Sequence, residues 1–285
     1  MIKRTHFALP IVMSAVLAAV PALAQDASTG EWDRDNHFNG AYIQAFGGIS
    51  LLGENGSTFE FDTDRNGTYG ETVTTVGGAN AFAPGFCNGG SRGPNRDPGC
   101  ANDKAGAEYG ARIGADRRMG NIVVGALIEG VGNESTERAS AFSSTPAAYR
   151  IDRGLDYAVS ARARLGFTPG GGALFYGTGG VSYGKIDHEF TTTNTANSFT
   201  ENDDGKMVWG WQAGGGTEIM VTNNISFGLE YLYSRYRDNK YNVSVGQGTA
   251  LPTNPFLLNG GGTNLRIADK NLDTHALRAA IGFRF

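Results

Sequence analysis

The chain is short of cysteine, of histidine and, beyond its first two dozen residues, of long apolar runs. Two cysteines in 285 residues permit at most one internal disulfide. Four histidines leave little material for acid–base chemistry. A hydrolase needs a nucleophile, a His base and an orienting carboxylate within reach of one another. His6 lies in the N-terminal apolar segment, His37 precedes the first strand-like segment, His188 begins a polar link, and His275 opens the last strand-like segment with no serine beside it in sequence. No metal-ligand spacing, phosphate loop or dinucleotide fingerprint stands out, and the glycine clusters Gly177–Gly180 and Gly214–Gly216 sit inside strand-like stretches rather than opening a helix. No catalytic residue, metal or cofactor is therefore expected. The formal net charge is −4, so there is no basic footprint for nucleic acid. After Ala24 no stretch approaches the roughly 20 apolar residues that a membrane-spanning helix requires.

The apolar residues that are present are arranged in two ways. At the N-terminus Lys3 and Arg4 precede a run from Phe7 to Val20 that ends in Ala22-Leu23-Ala24. That is the pattern of a secretory leader cleaved after Ala24. A membrane anchor is the alternative, but the run is too short to span a bilayer. The expected organisation is a leader at 1–24, a periplasmic segment at 25–38 and one domain at 39–285.

Elsewhere 43 glycines, 16 phenylalanines and 11 tyrosines accompany a hydrophobic content of only 40%, and the apolar residues alternate with polar ones. Eight segments show this period of two: Gly40–Gly48, about Ala105–Asp116, Ile122–Val131, Leu155–Phe167, Leu174–Ile186, Val208–Val221, Ile225–Arg235 and Thr274–Phe285. In the fourth, Leu155, Tyr157, Val159, Ala161, Ala163, Leu165 and Phe167 alternate without a break against Asp156, Ala158, Ser160, Arg162, Arg164 and Gly166. The fifth is glycine-rich and does not reveal which face is apolar. Each is long enough for the roughly 9–11 tilted residues of a transmembrane strand.

The links alternate between short and long. Arg117–Asn121, Thr168–Gly172 and Thr222–Asn224 are tight, whereas Ser50–Lys104, Gly132–Arg153, Asp187–Lys206 and Tyr236–Asp273 are long and polar. An all-β, eight-stranded antiparallel up-and-down transmembrane β-barrel sorts its links in this way, with short turns in the periplasm and long loops outside. Asn, Thr, Gly and Ser dominate the loops, a composition suited to exposed recognition. The first loop also contains two alternating stretches, Thr58–Asp62 and Glu71–Val76, and whether they form a hairpin is open.

The polar faces carry Arg112, Asp116, Glu129, Arg162, Arg164, Glu218, Glu230, Arg278 and Arg284. Inside so narrow a barrel such charges must pair, because an isolated buried charge is too costly. Glu129 with Arg162 or Arg164 is one expected pair. Two roles are open for the set: an internal salt-bridge plug, which the narrow lumen favours, or a selectivity filter. On the other face Tyr157, Phe167, Trp211, Tyr231, Tyr233 and Phe283 are candidates for interfacial girdles. An oxidising periplasm makes a Cys87–Cys100 disulfide the natural expectation, of about 3 kcal/mol at most for so short a loop; two free thiols are the alternative.

Taken together, GAYIQAFGG, AEYGARIGADRRMGNIVVGALIEG, SARARLGF, YGTGGVSYG, WQAGGGTEI, ISFGLEYLYS and the terminal ALRAAIGFRF resemble the small outer-membrane β-barrel proteins of the OmpA-like and opacity-protein group. The resemblance implies residence in the cell outer membrane, contact with its lipid and lipopolysaccharide, and assembly by the outer-membrane machinery through a C-terminal aromatic signal, here Phe285. It implies a non-enzymatic structural and surface-contact role, with an extracellular ligand reached through the loops. A narrow porin-like channel is the alternative, and a lipid-modifying hydrolase is a more distant one.

Overall fold

The computed structural model describes residues 37–53, 58–83, 85–86, 102–144 and 147–285. The expected leader, most of the expected periplasmic segment, and the expected Cys87–Cys100 disulfide lie outside the described residues.

Fourteen strands are formed in the described residues: β1 Gly40–Leu52, β2 Phe59–Asp62, β3 Gly85–Phe86, β4 Gly106–Met119, β5 Ile122–Asn133, β6 Glu137–Ser143, β7 Ala147–Phe167, β8 Ala173–Thr192, β9 Ser198–Asn202, β10 Lys206–Met220, β11 Ile225–Arg237, β12 Asn242–Gly246, β13 Thr263–Ile267 and β14 Asn271–Arg284. Eight of them close an antiparallel barrel in the order β1-β4-β5-β7-β8-β10-β11-β14, with β14 returning to β1. Closure leaves no unpaired barrel edge, which is the condition for a sheet to cross a bilayer. These eight are the eight alternating segments of the sequence, most of them lengthened at the end away from the tight turns.

Those turns use backbone freedom where it is needed. Gly120 (φ +62°) turns β4 into β5, and Gly170 and Gly171 (φ +69° and +75°) turn β7 into β8. On the outer wall Ile113, Val124, Ile128, Val159, Leu165, Val181, Leu229, Leu277 and Ile281 are exposed. At the turn end this wall carries Phe167, Phe175, Phe227 and Phe283; at the loop end it carries Tyr109, Tyr157, Tyr183, Trp209, Trp211 and Tyr231, with Tyr233 half-exposed. From Tyr157 to Phe167 is ten steps of β7, about 33 Å of strand, or about 25 Å of height at the usual tilt, which matches the apolar band of an outer membrane.

The fourth segment departs from its reading. The β7–β8 register shifts between Leu155 and Tyr157. Asp156 occupies a bulge, so Leu155 and Ala158 both point inward and are buried, while Tyr157 points outward. A single inserted residue exchanges the faces of everything beyond it. Above the bulge the odd-numbered Tyr149, Ile151 and Arg153 therefore face inward.

The long links also differ from exposed polar loops. β2, β13, β12 and β9 form a separate four-stranded antiparallel sheet drawn from three of them. β2 pairs with β13 of the fourth link rather than as a hairpin with the second alternating stretch of its own link, which it meets at the Phe61–Glu71 bridge. Beneath this sheet, β6 and the upper parts of β7 and β8 extend the barrel wall. Phe59, Phe61, Val73, Phe82, Ala141, Tyr149, Ile151, Tyr241, Val243, Val245, Phe256, Leu265 and Ile267 form one buried core between the two. The links thus fold into a cap with a hydrophobic interior.

Candidate functional site

The inward faces of the barrel strands are polar, and their charges form two closed groups. Near the turn end, Arg164 and Arg284 meet Asp116 and Glu218. Arg164 Nε donates to Asp116 at 3.0 Å and its Nη1 to Glu218 at 3.0 Å. Arg284 donates to Asp116 at 2.9 Å and to Glu218 at 2.8 Å. Both guanidinium groups lie over the Tyr42 ring, at 4.8 and 4.7 Å from its centroid. Tyr42 fits because Gly114 stands opposite: a Cβ there would come within 2.5 Å of the phenol.

Higher in the lumen, Arg112, Arg162 and Arg278 meet Glu108, Glu129 and Glu230. Arg162 donates to Glu129 at 2.6 Å and to Glu230 at 3.3 Å. Arg278 pairs with Glu108 and reaches Glu129 at 2.8 Å. Arg112 donates to Glu230 at 2.8 Å and, through Nε, to Gln44 at 2.7 Å. Tyr176 adds a hydroxyl bond to Glu230 at 3.0 Å. Five arginines thus face five carboxylates, and each group is neutral within itself.

The geometry leaves no room for a water-filled path at these levels. The side chains of Arg162 and Glu129 are fully inaccessible, and those of Arg112, Arg164, Arg278 and Glu218 are within 2% of it. Apolar layers close both ends. Phe38, Val123, Leu174 and Met220 fill the turn end, where His37 hydrogen-bonds the Gly171 carbonyl at 2.9 Å. Leu155, Ile186, Tyr236 and Leu272 fill the loop end above the second charge group. Buried ion pairs of this kind hold their arrangement because each member neutralises several neighbours, and removing one leaves the rest exposed to the full desolvation cost.

A third polar cluster joins the cap to the barrel wall, five residues beyond the Tyr183 belt and so above the membrane. Arg153 donates to Glu137 at 2.7 Å, to Asp238 at 3.2 Å, and to the carbonyls of Asp269 and Asn271 at 2.9 and 2.5 Å. His188 Nε2 lies 2.9 Å from Asp238, its Nδ1 lies 3.4 Å from Asp204, and its ring stacks on Tyr241 at 3.9 Å. Burial opposes a charged imidazole here, but the hydrogen bonds to Asp204 and Asp238 outweigh it and raise His188 above its ordinary value. Burial likewise opposes the Asp238 carboxylate, and His188 and Arg153 outweigh that and hold it below its ordinary value.

The nine charged residues singled out from the sequence all lie inside the lumen, within the two groups described. Arg162 is the neighbour of Glu129, whereas Arg164 lies with the lower group. Glu108, Phe38 and the Arg153–His188 cluster were missed. Glu108 shares the parity of Arg112 on β4, which was a usable signal. Phe38 and the Arg153–His188 cluster gave none, because the first precedes any alternation and the second depends on the β7 bulge. Phe285 follows β14; its amide donates to the Ala41 carbonyl at 3.0 Å and its ring meets Phe283 edge to face. His275 lies on the outer wall, 2.7 Å from the Tyr231 hydroxyl.

Oxygens of Asp62, Asp64 and Glu71 converge within 4.8 Å in the first link, in the run Asp62-Thr63-Asp64-Arg65-Asn66-Gly67. The amides of Asn66 and Gly67 donate to Asp62, and Thr63 donates to Glu71 through both its amide and its hydroxyl, so these carboxylates organise the turn that follows β2.

No family model matches the sequence. The chain is 32% identical over 126 residues to the 31 kDa outer-membrane immunogenic protein of Brucella melitensis biotype 1, across 44% of this chain and 52% of that protein. It is 33% identical over 87 residues to a 22 kDa outer membrane protein of Rhizobium leguminosarum bv. viciae, across 30% and 36%. The match spans about half the length of the Brucella relative. Among solved structures, the outer membrane protein OprG from Pseudomonas aeruginosa superposes with a TM-score of 0.48 at 12% identity, over 87% of this chain and 98% of that one. With its closed barrel, apolar belt and similarity to the Brucella and Rhizobium proteins named for the outer membrane, the chain is an outer-membrane β-barrel.

Proposed function

We propose that the protein is a sealed, non-enzymatic barrel that reinforces the envelope and holds a folded contact surface outside the cell. The carrying observation is the pairing of a lumen filled by five arginines and five carboxylates with a cap that has its own core. A channel would need polar side chains in contact with water along its length, as selectivity filters do. Here the lumen charges face one another and are out of solvent's reach. The relatives are named for the outer membrane and for immunogenicity, and neither term refers to a reaction. Nor do the described histidines form a hydrolytic arrangement: His37 bonds a backbone carbonyl, His188 two aspartates and His275 a tyrosine.

In this reading the rigid cap, rather than a set of mobile loops, is the part that meets an extracellular ligand. The outer-membrane assembly machinery would read the β14 end with Phe285. Single-channel recording of the folded protein in planar bilayers tests the sealed lumen. The expected trace is silent while a heat-dependent gel shift shows the barrel folded. Steady ion-selective steps would make the lumen a diffusion path and refute the reading.

A further inference from the structure

One stretch of the outer rim differs from the rest in charge. On β11 the outward residues run Leu229, Tyr231, Tyr233, Arg235, Arg237. They pass from the lipid band through the aromatic belt to cations within six residues, about 15 Å of height. Trp211 of β10 stands opposite Arg235 in register, and Trp209, two residues on, is 66% exposed. The Asp238 amide donates to the Lys270 carbonyl at 2.8 Å, which brings the end of β11 beside the start of β14 and places Lys270 at this corner. Lys240 follows two residues later. Arg237, Lys240 and Lys270 are all exposed.

None of these three has a carboxylate partner among the described residues, and the adjacent acids are engaged elsewhere. Asp238 faces Arg153 and His188, Asp269 caps the Asn271 amide, and Asp273 takes Arg235 at 2.6 Å. Elsewhere on the rim, three cations are matched with acids. Lys185 lies 2.7 Å from Asp187, Lys206 lies 3.6 Å from Asp203, and Arg150 lies 3.0 Å from Asp152. Lys104, ahead of β4, is exposed and makes no ion pair among the described residues. In a chain of net charge −4, three unmatched cations at one corner, directly above exposed indoles, form a local anion site.

We propose that the β10–β11–β14 corner binds the phosphate groups of lipopolysaccharide, with Arg237, Lys240 and Lys270 as the phosphate contacts and Trp209 and Trp211 against the sugar and upper acyl region. This rests on the outer-membrane reading above and adds to it a lipid and a place. The height fits, since lipid phosphates lie just beyond the aromatic belt, where amphipathic rings mark the edge of the hydrocarbon. Each basic residue near an anionic membrane surface strengthens attachment severalfold, and the effect falls off within a Debye length.

The test uses the detergent-solubilised full-length barrel and native mass spectrometry with three probes: intact lipopolysaccharide, its dephosphorylated form, and phosphatidylglycerol. The triple variant Arg237→Gln/Lys240→Gln/Lys270→Gln is compared with the unaltered protein, and Lys185→Gln serves as a control at an acid-matched position. Intact lipopolysaccharide should bind the unaltered protein and the control alike, and the triple variant roughly a hundredfold more weakly, at about fivefold per cation. Dephosphorylation should cost the unaltered protein a similar factor. Equal binding by the triple variant, or indifference to dephosphorylation, overturns the site. Phosphatidylglycerol binding as tight as lipopolysaccharide overturns the choice of lipid. The substituted side chains are exposed and remote from the lumen, so the gel shift and the silent bilayer trace should persist in every variant. Failure here is thereby separable from failure of the sealed-barrel reading.

Discussion

Inside the barrel the unit of design is a glycine paired with a large neighbour on the next strand. Gly114 shows it best: a Cβ built there would lie 2.5 Å from the Tyr42 ring and 2.8 Å from the Ala126 carbonyl, so both a side chain and the opposing backbone would have to move. Gly130 on β5 has nothing within 4 Å of its Cβ position. Gly114→Val should therefore lower the urea midpoint of the folded barrel in vesicles, by a shift equivalent to the cost typical of overpacking, about 1–3 kcal/mol of unfolding free energy. Gly130→Ala should be neutral or slightly stabilising, as expected where a side chain is accommodated without strain. Equal midpoints for the two variants would mean that the lumen yields more than its packing indicates.

Glu129 is the residue-scale test of the charge network. It serves Arg162 at 2.6 Å and Arg278 at 2.8 Å, with Arg112 at 3.6 Å, all out of solvent. Glu129→Gln keeps the volume and removes the charge, leaving the arginines with one carboxylate fewer. Breaking a buried pair from one side typically costs about 3–5 kcal/mol. Removing a guanidinium as well, in Glu129→Gln/Arg162→Met, should recover part of that loss, because the surplus positive charge goes with it. Tryptophan fluorescence during urea unfolding reads both. A single variant within about 0.5 kcal/mol of the parent, the range of an ordinary surface change, would show that water reaches the network.

At the scale of elements, the clearest dependence on conditions lies where the cap meets the wall. His188 on β8 binds Asp204 and Asp238, which belong to the β9–β10 turn and the link after β11; Arg153 reaches Asp238 from β7, and Tyr241 stacks on the ring. Because the folded imidazole is raised, its contribution is fully present below the ordinary histidine value of about 6.5 and is lost as pH rises through the folded value. Asp238 and Asp204 are depressed, so theirs is present above the ordinary carboxylate value of about 3.9 and is lost as pH falls through the folded values. The cap should be held most tightly between about pH 4 and 6.5. Hydrogen exchange in β12, corrected for intrinsic rates, should be slowest in that window and faster on the alkaline side. His188→Asn should flatten the alkaline limb; an unchanged limb would assign the effect to another group.

How much of these elements could be read beforehand follows from what kind of interaction forms them. The barrel strands are legible because lipid on one side and a polar lumen on the other impose a period of two on every residue. Even the glycine-rich fifth segment conforms once its partners are known: Leu174, Tyr176 and Ser182 are buried, and Phe175, Val181 and Tyr183 are exposed. The bulge at Asp156 was hidden because Leu155 extends the apolar pattern on paper and leaves it only in the register with β8. The cap was hidden for a different reason. Its four strands are four or five residues long and pair across links as far apart as Phe61 and Leu265. No local periodicity records such pairing, and a mostly Asn, Thr, Ser and Gly composition masks the few buried residues that carry it. The lumen charges were visible individually, but their grouping into two neutral sets depends on contacts across the barrel, such as Arg164 with Glu218, which strand order alone does not give.

For the whole molecule, the question is whether barrel and cap are one cooperative unit. The barrel closes through its own ladder from β1 to β14, and its two charge groups and both apolar layers lie within those eight strands and the Phe38 segment. The cap sheet takes its strands from the links and packs on the extended ends of β6, β7 and β8. The principal polar tie between them is the Arg153–His188 cluster. This division predicts two transitions. A chain in which residues 54–101, 193–203 and 240–268 are replaced by short Gly/Ser/Asn links should still insert into vesicles, show the heat-dependent gel shift and remain silent in planar bilayers. It should lose only the early, lower-stability step that the parent is expected to show in limited proteolysis and hydrogen exchange, since locally stable units open independently of the most protected core. Ligands or antibodies specific for the native cap should no longer bind it. If the shortened chain fails to fold, the cap is part of the barrel's stability rather than cargo carried by it. If it folds and conducts, the seal lies in the cap and not in the arginine–carboxylate lumen. Folding with silence leaves the lumen as the seal and the cap as the surface presented outside the cell.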